Sequence, residues 1–334
     1  MNVSRFEYDL PGNLIAQRPA SPRDSSRLMI VEEEILHKRF YELPQYLESG
    51  DVLVLNDTKV IPARLVGFKP TGGRVKALLI REINGNGNLW ECFLKGRKIK
   101  PDLKIHFKSS PARVVERLGE GRWLLEFRTP PRELLERYGE MPLPPYIKRE
   151  PPDPNEYQTV YAKHEGSIAA PTAGLHFTEE LLQRIRKMGV VITTITLHVG
   201  PGTFMLVRTD ETTEHRMHPE EVTITEETAE TINERSGRLI PVGTTTLRAL
   251  ETAFRNGRLR AYNGCTDLFI HPPYTFKSQA DALITNFHLP RSTLIMMVSA
   301  FAGIKRVFHA YKTAIAHKYR FYSFGDAMLI TREE

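Results

Sequence analysis

Continuous apolar runs and helical spacings alternate along most of the chain and predict buried strands and amphipathic helices. The clearest runs lie at 27–31, 51–55, 190–199 and 238–242, and each is bounded by turn-forming residues. Runs without polar alternation are typical of strands that are covered on both faces. Because helical spacings follow the later runs, we predict a mixed α/β main domain.

Between about residues 64 and 128 the pattern changes to short β-rich pieces with almost no helical periodicity. Turn signals such as Gly72-Gly73 separate these pieces, which is typical of an antiparallel meander or small barrel. We therefore predict an inserted antiparallel β-barrel-like domain at 63–150 and a discontinuous α/β catalytic domain at 1–62 and 151–334. A length of 334 residues would also suit one elaborate domain.

A charge-free stretch of small residues, 166–177, stands at the middle of the chain. Glycine and alanine let a backbone approach a ligand closely, and the stretch leads into a helix that Thr178 is expected to cap. The amides at such a helix start favour anionic or electron-rich groups, and Thr172 and His176 add side-chain chemistry. A tight structural turn packed against the core is the alternative interpretation.

Two polar side chains follow predicted strands at their carboxyl ends, where ligands collect in open α/β sheets. Asp57 follows the run at 51–55, and His198 lies near the end of the run at 190–199, beside a glycine loop. An Asx turn is the alternative interpretation of Asp57, and a satisfied core histidine is the alternative for His198.

Strand, polar turn and helix recur twice more. Gly243-Thr244-Thr245-Thr246 precedes a helix predicted from Leu247 onward, with Arg248 nearby, and Asn286 and His288 occupy the strand-to-helix turn within 281–290. Backbone amides, hydroxyls and a guanidinium suit phosphate, ribose or carboxylate, although the spacing of a nucleotide P-loop is missing. We expect the turns to form one composite pocket.

The chain carries a formal charge of +6, which permits nucleic-acid binding and equally suits a basic enzyme. A basic segment in the predicted insert is the candidate phosphate contact, with a solvated turn as its alternative. Its members are Lys95, Arg97, Lys98 and Lys100.

Cysteine and histidine spacing indicates no metal or disulfide framework. Cys92 and Cys265 are far apart in sequence, and His215 and His218 have no third ligand at a known interval. The N-terminus is polar, and the longest apolar run, 294–302, is too short to span a bilayer. We therefore predict a cytoplasmic protein with no membrane partner. The proline-rich passage 141–147 suits either a linker or the rigid wall of a cleft.

Long motifs spread over the whole chain resemble the S-adenosylmethionine:tRNA ribosyltransferase-isomerase family of queuosine biosynthesis. In chain order they are DVLVLNDTKVIPAR (51–64), MPLPPYI (141–147), GSIAAPTAGLHFTEE (166–180), HVGPGTF (198–204), HRMH (215–218), VGTTTLRALE (242–251), TDLFIHPPY (266–274), ALITNFHLPRSTLIMMVSAFAG (282–303) and FYSFGDAMLI (321–330). Two departures from the family pattern stand in the glycine loop, where Pro201 and Met205-Leu206 replace the usual residues.

This resemblance implies transfer and isomerisation of the ribosyl group of S-adenosylmethionine onto 7-aminomethyl-7-deazaguanine at the tRNA wobble position. Epoxyqueuosine-tRNA would form, and adenine and methionine would leave. S-adenosylmethionine is then a consumed substrate, so no cofactor and no metal are expected. The expected partner is tRNA with a GUN anticodon, and the expected state is a monomer.

The same resemblance implies the site residues. Proton transfer falls to His176 or His198, with Asp57 as a second-ranked carboxylate. The implied substrate-binding residues are Asn56, Arg64, Pro171, Thr172, Gly174, Phe177, Gly200, Gly202, Thr203, Gly243, Thr244, Thr245, Arg248, Asn286 and His288. An ordinary S-adenosylmethionine methyltransferase and a non-catalytic RNA-binding module are the competing classes.

Overall fold

A computed structural model describes residues 1–83, 85–108, 110–119, 121–148, 153–204 and 206–333. The chain divides into two compact units, Met1–Lys59 with Pro144–Glu334, and Val60–Leu143. We refer to them as the main unit and the insert. The domain boundary predicted at 150 and 151 lies outside the described residues.

The regular elements cover both units. In chain order the strands are β1 (Arg27–Val31), β2 (Ile35–Arg39), β3 (Val52–Asn56), β4 (Thr58–Val60), β5 (Arg64–Phe68), β6 (Arg74–Glu82), β7 (Leu89–Lys95), β8 (Lys104–Phe107), β9 (Ser110–Gly119), β10 (Arg122–Phe127), β11 (His164–Ser167), β12 (Val191–Leu197), β13 (Glu220–Ile224), β14 (Leu239–Pro241), β15 (Phe254–Arg255), β16 (Arg258–Leu259), β17 (Tyr262–Thr266), β18 (Ala282–Asn286) and β19 (Ala327–Thr331). The α-helices are α1 (Arg132–Tyr138), α2 (Glu179–Lys187), α3 (Glu226–Asn233), α4 (Thr244–Ala253), α5 (Thr293–Ala302) and α6 (Ile304–Ala316).

Two sheets of the main unit lie edge to edge. One has the order β14-β3-β12-β13-β17 and the other β18-β19-β1-β2. A parallel bridge between Val242 and Ile284 joins their edges just after β14 and within β18. Because β3 pairs in parallel with both β12 and β14, the carboxyl ends of β3, β12, β14 and β18 share one edge.

The continuous apolar run in β3 reflects the burial of both faces of this strand. Leu53 and Leu55 enter one core with Leu181 and Ile185 of α2. The alternate residues of β3, Val52 and Val54, enter a second core with α3 and α4. With both faces covered, every residue of the strand is buried, as the run at 51–55 predicted.

A third core surrounds α5 and α6. Ser292 caps α5, its hydroxyl accepting the amide of Ile295, and Gly303 (φ +81°) separates the two helices. Within the described residues no single helix is long and apolar enough to cross a membrane. Only α5 and α6 taken together, bent by 117°, pass that test of length and composition.

The insert contains a closed antiparallel barrel with the strand order β10-β7-β6-β5-β8-β9. Alternate side chains fill its interior, among them Leu65, Leu79, Phe107 and Trp123. The prediction of a mixed α/β protein with an inserted antiparallel barrel is thus confirmed.

Two element boundaries differ from the predictions. Helix α4 begins at Thr244 rather than Leu247, because Gly243 (φ +92°) turns the chain directly from strand into helix. Strand β12 ends at Leu197 rather than Val199. The amide of Val199 instead donates to the hydroxyl of Ser167 at 2.9 Å, which ties the strand end to the 166–177 loop.

Candidate functional site

The 166–177 loop lies along the shared carboxyl edge of the sheet. It approaches β12 where Gly166 packs on the ring of His198, and β14 where a Cβ on Gly243 would lie 3.8 Å from that of Ala173. It reaches β18 where Nε2 of His176 lies 3.2 Å from Oδ1 of Asn286. The structure therefore brings the predicted turns to one edge, with this loop across them.

A first polar cluster lies at the ends of β3 and β12. Nδ1 of His198 is 2.7 Å from the hydroxyl of Thr58. One oxygen of Asp57 accepts the hydroxyl of Thr196 at 2.6 Å, and its other oxygen lies 3.7 Å from Nε2 of His164. A carboxylate and two imidazoles are thus gathered beside the glycine loop, which suits proton transfer.

Partial burial and nearby charged groups determine the pKa of His198. Desolvation lowers the pKa of this imidazole, more than the nearby carboxylate of Glu221 raises it. A neutral ring can accept a proton, and among the described residues no protein group hydrogen-bonds its Nε2. The ring is fixed from the other side, because a Cβ on Gly166 would lie 2.8 Å from Cε1 of His198.

Asn56 serves the sheet itself. Its amide nitrogen donates to the carbonyl of Leu197 at 3.0 Å, and its amide oxygen accepts the backbone amide of Leu197 at 3.0 Å. That oxygen also accepts the amide of Thr58. The side chain therefore holds β3 against β12 and places Asp57 and Thr58 at the site.

A second cluster is built around His176, which is buried. Its Nδ1 lies 2.8 Å from the hydroxyl of Ser26, its Nε2 lies near Asn286, and its ring stacks on Phe40 with centroids 4.9 Å apart. Asn Oδ1 only accepts, so Nε2 carries the proton and Nδ1 accepts the serine hydroxyl. Burial lowers the pKa of His176 to about 4, which keeps the ring neutral near pH 7.

Asn286 links His176 to the backbone of residues 322–323. Its amide nitrogen donates to the carbonyl of Tyr322 at 2.9 Å and lies 3.4 Å from that of Ser323. Tyr322 has a φ of +72°, a left-handed conformation that bulky residues rarely adopt. Ser26, His176, Asn286 and Tyr322 thus form a continuous chain of hydrogen bonds.

This chain ends at a pocket in the main unit. Two tyrosines, Tyr146 and Tyr322, form an aromatic corner with ring centroids 4.8 Å apart. The remaining lining mixes polar and apolar side chains and comprises Ala170, Thr172, Thr203, Asn286, Phe287, His288, Leu289, Ser292, Leu294 and Ser323. Such a mixture of aromatic and polar groups suits a flat, heteroatom-rich ligand.

His288 lines the same pocket but is tied down through its backbone. Its amide donates to the hydroxyl of Tyr311 at 2.9 Å, and its carbonyl accepts the hydroxyl of Tyr8. Nε2 lies 2.8 Å from the hydroxyl of Thr285. Desolvation lowers the pKa of His288 to about 3, so this ring is also neutral near pH 7.

Arg248 is paired within the protein. Its Nη2 bonds to Glu220, whose other oxygen accepts the amide of Gly200 at 2.7 Å. Nη1 is buried without a hydrogen-bond partner among the described residues. The buried pair anchors the glycine loop to α4, and Nη1 keeps a donor for the predicted ribose or carboxylate contact.

Four predicted loop residues have different surroundings. Thr172 lines the pocket, whereas Phe177 is fully buried and packs edge-on against Phe40 with centroids 4.9 Å apart. Pro171 accepts the amide of Gly174 at 2.8 Å in the short turn between them. A Cβ on Gly174 would lie 1.9 Å from the hydroxyl of Tyr161, so only glycine fits there.

The glycine loop and the start of α4 supply the other predicted contacts. Thr203 lines the pocket, and a Cβ on Gly202 would lie 3.2 Å from Cδ2 of His218. Thr244 and Thr245 form the first turn of α4 and are buried. Of the two departures noted in this loop, Met205 lies outside the described residues.

The insert carries the remaining predicted residues. Arg64 donates from Nη2 to the carbonyl of Leu143 at 3.2 Å, and its backbone bridges to Glu140. The four basic residues Lys95, Arg97, Lys98 and Lys100 are exposed around the turn after β7. Within the described ranges, no group of three or more His, Cys, Asp or Glu side chains is placed to hold a metal ion.

Several residues of these clusters carry no signal in the periodicity of the sequence. Ser26 and Glu220 stand in no loop that sequence reasoning would select, and both act on partners distant along the chain. Tyr146 and Tyr322 lie in the motifs at 141–147 and 321–330. These motifs identified the segments but did not single out the two tyrosine side chains. Only the tertiary structure brings them together.

Comparison with known proteins places the whole chain beside one family. A family model described as queuosine biosynthesis protein matches residues 3–330. A relative from Moorella thermoacetica, named S-adenosylmethionine:tRNA ribosyltransferase-isomerase, is 50% identical over 99% of this chain and 100% of its own length. A relative of the same name from Caldanaerobacter subterraneus is 52% identical over the same shares.

A solved structure agrees with these relatives. The crystal structure of an S-adenosylmethionine tRNA ribosyltransferase from Thermotoga maritima is 39% identical to this chain. It covers 98% of this chain and 100% of its own, with a TM-score of 0.56.

Proposed function

The chain belongs to the queuosine biosynthesis protein family, and we propose on that premise that it is an S-adenosylmethionine:tRNA ribosyltransferase-isomerase. The reaction transfers and isomerises the ribosyl moiety of S-adenosylmethionine onto 7-aminomethyl-7-deazaguanine at the tRNA wobble position. Epoxyqueuosine-tRNA forms, with release of adenine and methionine. The observation that carries the proposal is the identity of about half the residues over 99% of the chain with relatives of that name.

The chemistry requires a base for a proton on the 5′ carbon, which the adjacent sulfonium acidifies. We assign this step to His198, because its Nε2 has no hydrogen-bond partner in the part of the chain that the structure describes and its ring is neutral near pH 7. Asp57 and His164 beside it supply a carboxylate and a second imidazole. His176 has both ring nitrogens engaged by protein groups, so we assign it a positioning role instead.

We propose that the remaining groups bind different parts of the substrates. The start of α4, at Gly243, Thr244 and Thr245, offers amides and hydroxyls to the amino-acid or ribose end, together with Nη1 of Arg248. S-adenosylmethionine is consumed, so the reaction as proposed uses no separate cofactor. The pocket beside Asn286 and His288 orients a substrate group.

The proposed partner is tRNA with a GUN anticodon carrying 7-aminomethyl-7-deazaguanine, acted on in the cytoplasm by a monomer. Exposed basic side chains after β7, among them Lys98 and Lys100, are proposed to contact its phosphates.

Mass spectrometry of the tRNA product tests the proposal against the competing classes. Purified protein is incubated with S-adenosylmethionine and tRNA bearing the aminomethyl base, and nucleosides and small products are analysed. Ribosyl transfer adds an epoxide-bearing cyclopentyl group and releases equimolar adenine. Addition of one methyl group would make the protein a methyltransferase, and unchanged tRNA with measurable binding would make it an RNA-binding module.

A further inference from the structure

The aromatic corner of the main-unit pocket combines two features that packing alone does not explain. Tyr322 has a left-handed φ of +72°, and its side chain lines the pocket beside the ring of Tyr146. A bulky residue in this conformation is strained, and such strain persists where the surroundings enforce it. The strained backbone therefore places one particular ring at the pocket.

Backbone contacts on both sides enforce this conformation. The amide of Tyr322 donates to the carbonyl of Phe287 at 3.0 Å, and its carbonyl accepts the amide of Gly325 at 2.9 Å. The same carbonyl accepts Nδ2 of Asn286, whose oxygen is held by His176. Tyr322 is thus fixed by β18 and by its own turn.

The base of that turn is closed by a buried carboxylate. Asp326 accepts the amides of Arg27 and Arg320 at 3.1 and 2.8 Å, and it pairs with both guanidinium groups. The second tyrosine is fixed as well, because the hydroxyl of Tyr146 lies 2.7 Å from that of Ser323. Both rings are therefore preorganised.

We infer that Tyr322, with Tyr146 beside it, is the stacking platform for a purine-type base in this pocket. Rigid aromatic faces stack nucleobases, and Thr172 and Thr203, which line the same pocket, offer hydroxyl groups to base heteroatoms. The inference rests on the proposed function, which provides two such bases: the adenine of S-adenosylmethionine and the deazaguanine of the tRNA. Asn286 and His176 act through Tyr322 as positioning residues.

The test separates the ring from the backbone. Tyr322→Asn removes the ring but keeps a residue that tolerates positive φ, so the turn and the fold are retained. Tyr322→Phe keeps the ring. Tyr41→Asn, at an exposed tyrosine outside the pocket, is the matched control.

Two measurements identify the base. Calorimetric binding of S-adenosylhomocysteine, without tRNA, reports on the adenine, and the KM for modified tRNA reports on the deazaguanine. We expect Tyr322→Asn to weaken one of these about tenfold or more, because the base loses the aromatic side chain on which it stacks. We expect Tyr322→Phe to recover most of that loss.

The outcomes keep the inference distinct from the proposed function. Wild-type protein that binds S-adenosylhomocysteine but transfers no ribosyl group would overturn the proposed function, while weaker binding by Tyr322→Asn would still support the platform. Unchanged binding and unchanged KM in a folded Tyr322→Asn variant would overturn the platform. Equal losses in the Asn and Phe variants would overturn it too, because the ring would then not be the group that matters.

Discussion

Nε2 of His176 lies 3.2 Å from Oδ1 of Asn286, and this contact joins the 166–177 loop to the end of β18. The imidazole is neutral and buried, and its other nitrogen is held by Ser26. Both ring nitrogens of His176 therefore hydrogen-bond to protein groups. The ring positions the side-chain amide of Asn286, whose nitrogen donates to the carbonyl of Tyr322.

Substitution of His176 separates positioning from proton transfer. We expect His176→Ala to lower kcat about 10- to 100-fold, because small misplacements in a site have effects of that size. Glutamine keeps a donor for Asn286, so His176→Gln is expected to recover most of the rate with an unshifted pH profile. Adenine release, with folding checked by calorimetry, measures both. Equal inactivity of the two variants would identify His176 as the base instead.

Acid sensitivity follows from the two buried neutral imidazoles. His176 and His288 have folded-state pKa values of about 4 and about 3, below the unfolded value of 6.5. The unfolded state therefore binds more protons as the pH falls below 6.5, and stability is lost on acidification. At about pH 5 each histidine lowers the free energy of unfolding by roughly 2 kcal/mol relative to about pH 7.5.

Urea unfolding of wild type and His176→Gln at both pH values checks this expectation. The variant should lose less stability on acidification, by roughly one histidine's share of 2 kcal/mol. Identical pH dependence in the two proteins would show that His176 is not neutral and buried in the folded state.

Gly166 is expected to accept no side chain without moving His198. A Cβ there would lie 2.8 Å from the ring, and the backbone has a φ of +149°. We expect Gly166→Ala to lower the rate of adenine release at least tenfold by displacing the imidazole, while the protein stays folded. Gly12→Ala is the control, because a Cβ at Gly12 meets nothing within 4 Å. Normal turnover by Gly166→Ala would remove His198 from the reacting centre.

Charge reversal in the insert tests the tRNA contact. If Lys98 and Lys100 each neutralise a phosphate, the double Glu variant should reduce the slope of log affinity against log salt by about 2. The control reverses Lys187 and Lys305, which are exposed lysines of α2 and α6. An unchanged slope in the insert variant, measured by fluorescence anisotropy, would exclude these lysines from the interface.

Local signals in the sequence predicted most of the fold. The apolar run at 51–55 became the central strand β3 because both its faces are covered, and the alternating pieces at 64–127 became the barrel. Helical periodicity predicts the start of α4 at Leu247, three residues late, because it does not show that Gly243 allows an immediate turn into helix. The family resemblance read from the motifs is confirmed by the family match over residues 3–330.

The candidate site was harder to predict, because its contacts join distant segments. Ser26 meets His176, and Glu220 meets Arg248, through side chains that no local pattern connects. The left-handed backbone of Tyr322 is likewise invisible in sequence, since tyrosine carries no preference for it. The residue types identified the loops in which the candidate site lies. Only the tertiary structure showed which of their side chains are hydrogen-bonded to other protein groups.

Isotope tracing from S-adenosylmethionine into tRNA tests the central claim most directly. Two preparations of the substrate, one labelled with ¹³C in the ribose and one in the methyl group, are each incubated with the protein and aminomethyl-deazaguanine tRNA. Mass spectrometry should find the ribose label in the wobble nucleoside and the methyl label in free methionine. A methyl label in the tRNA, or neither label there, would contradict ribosyl transfer.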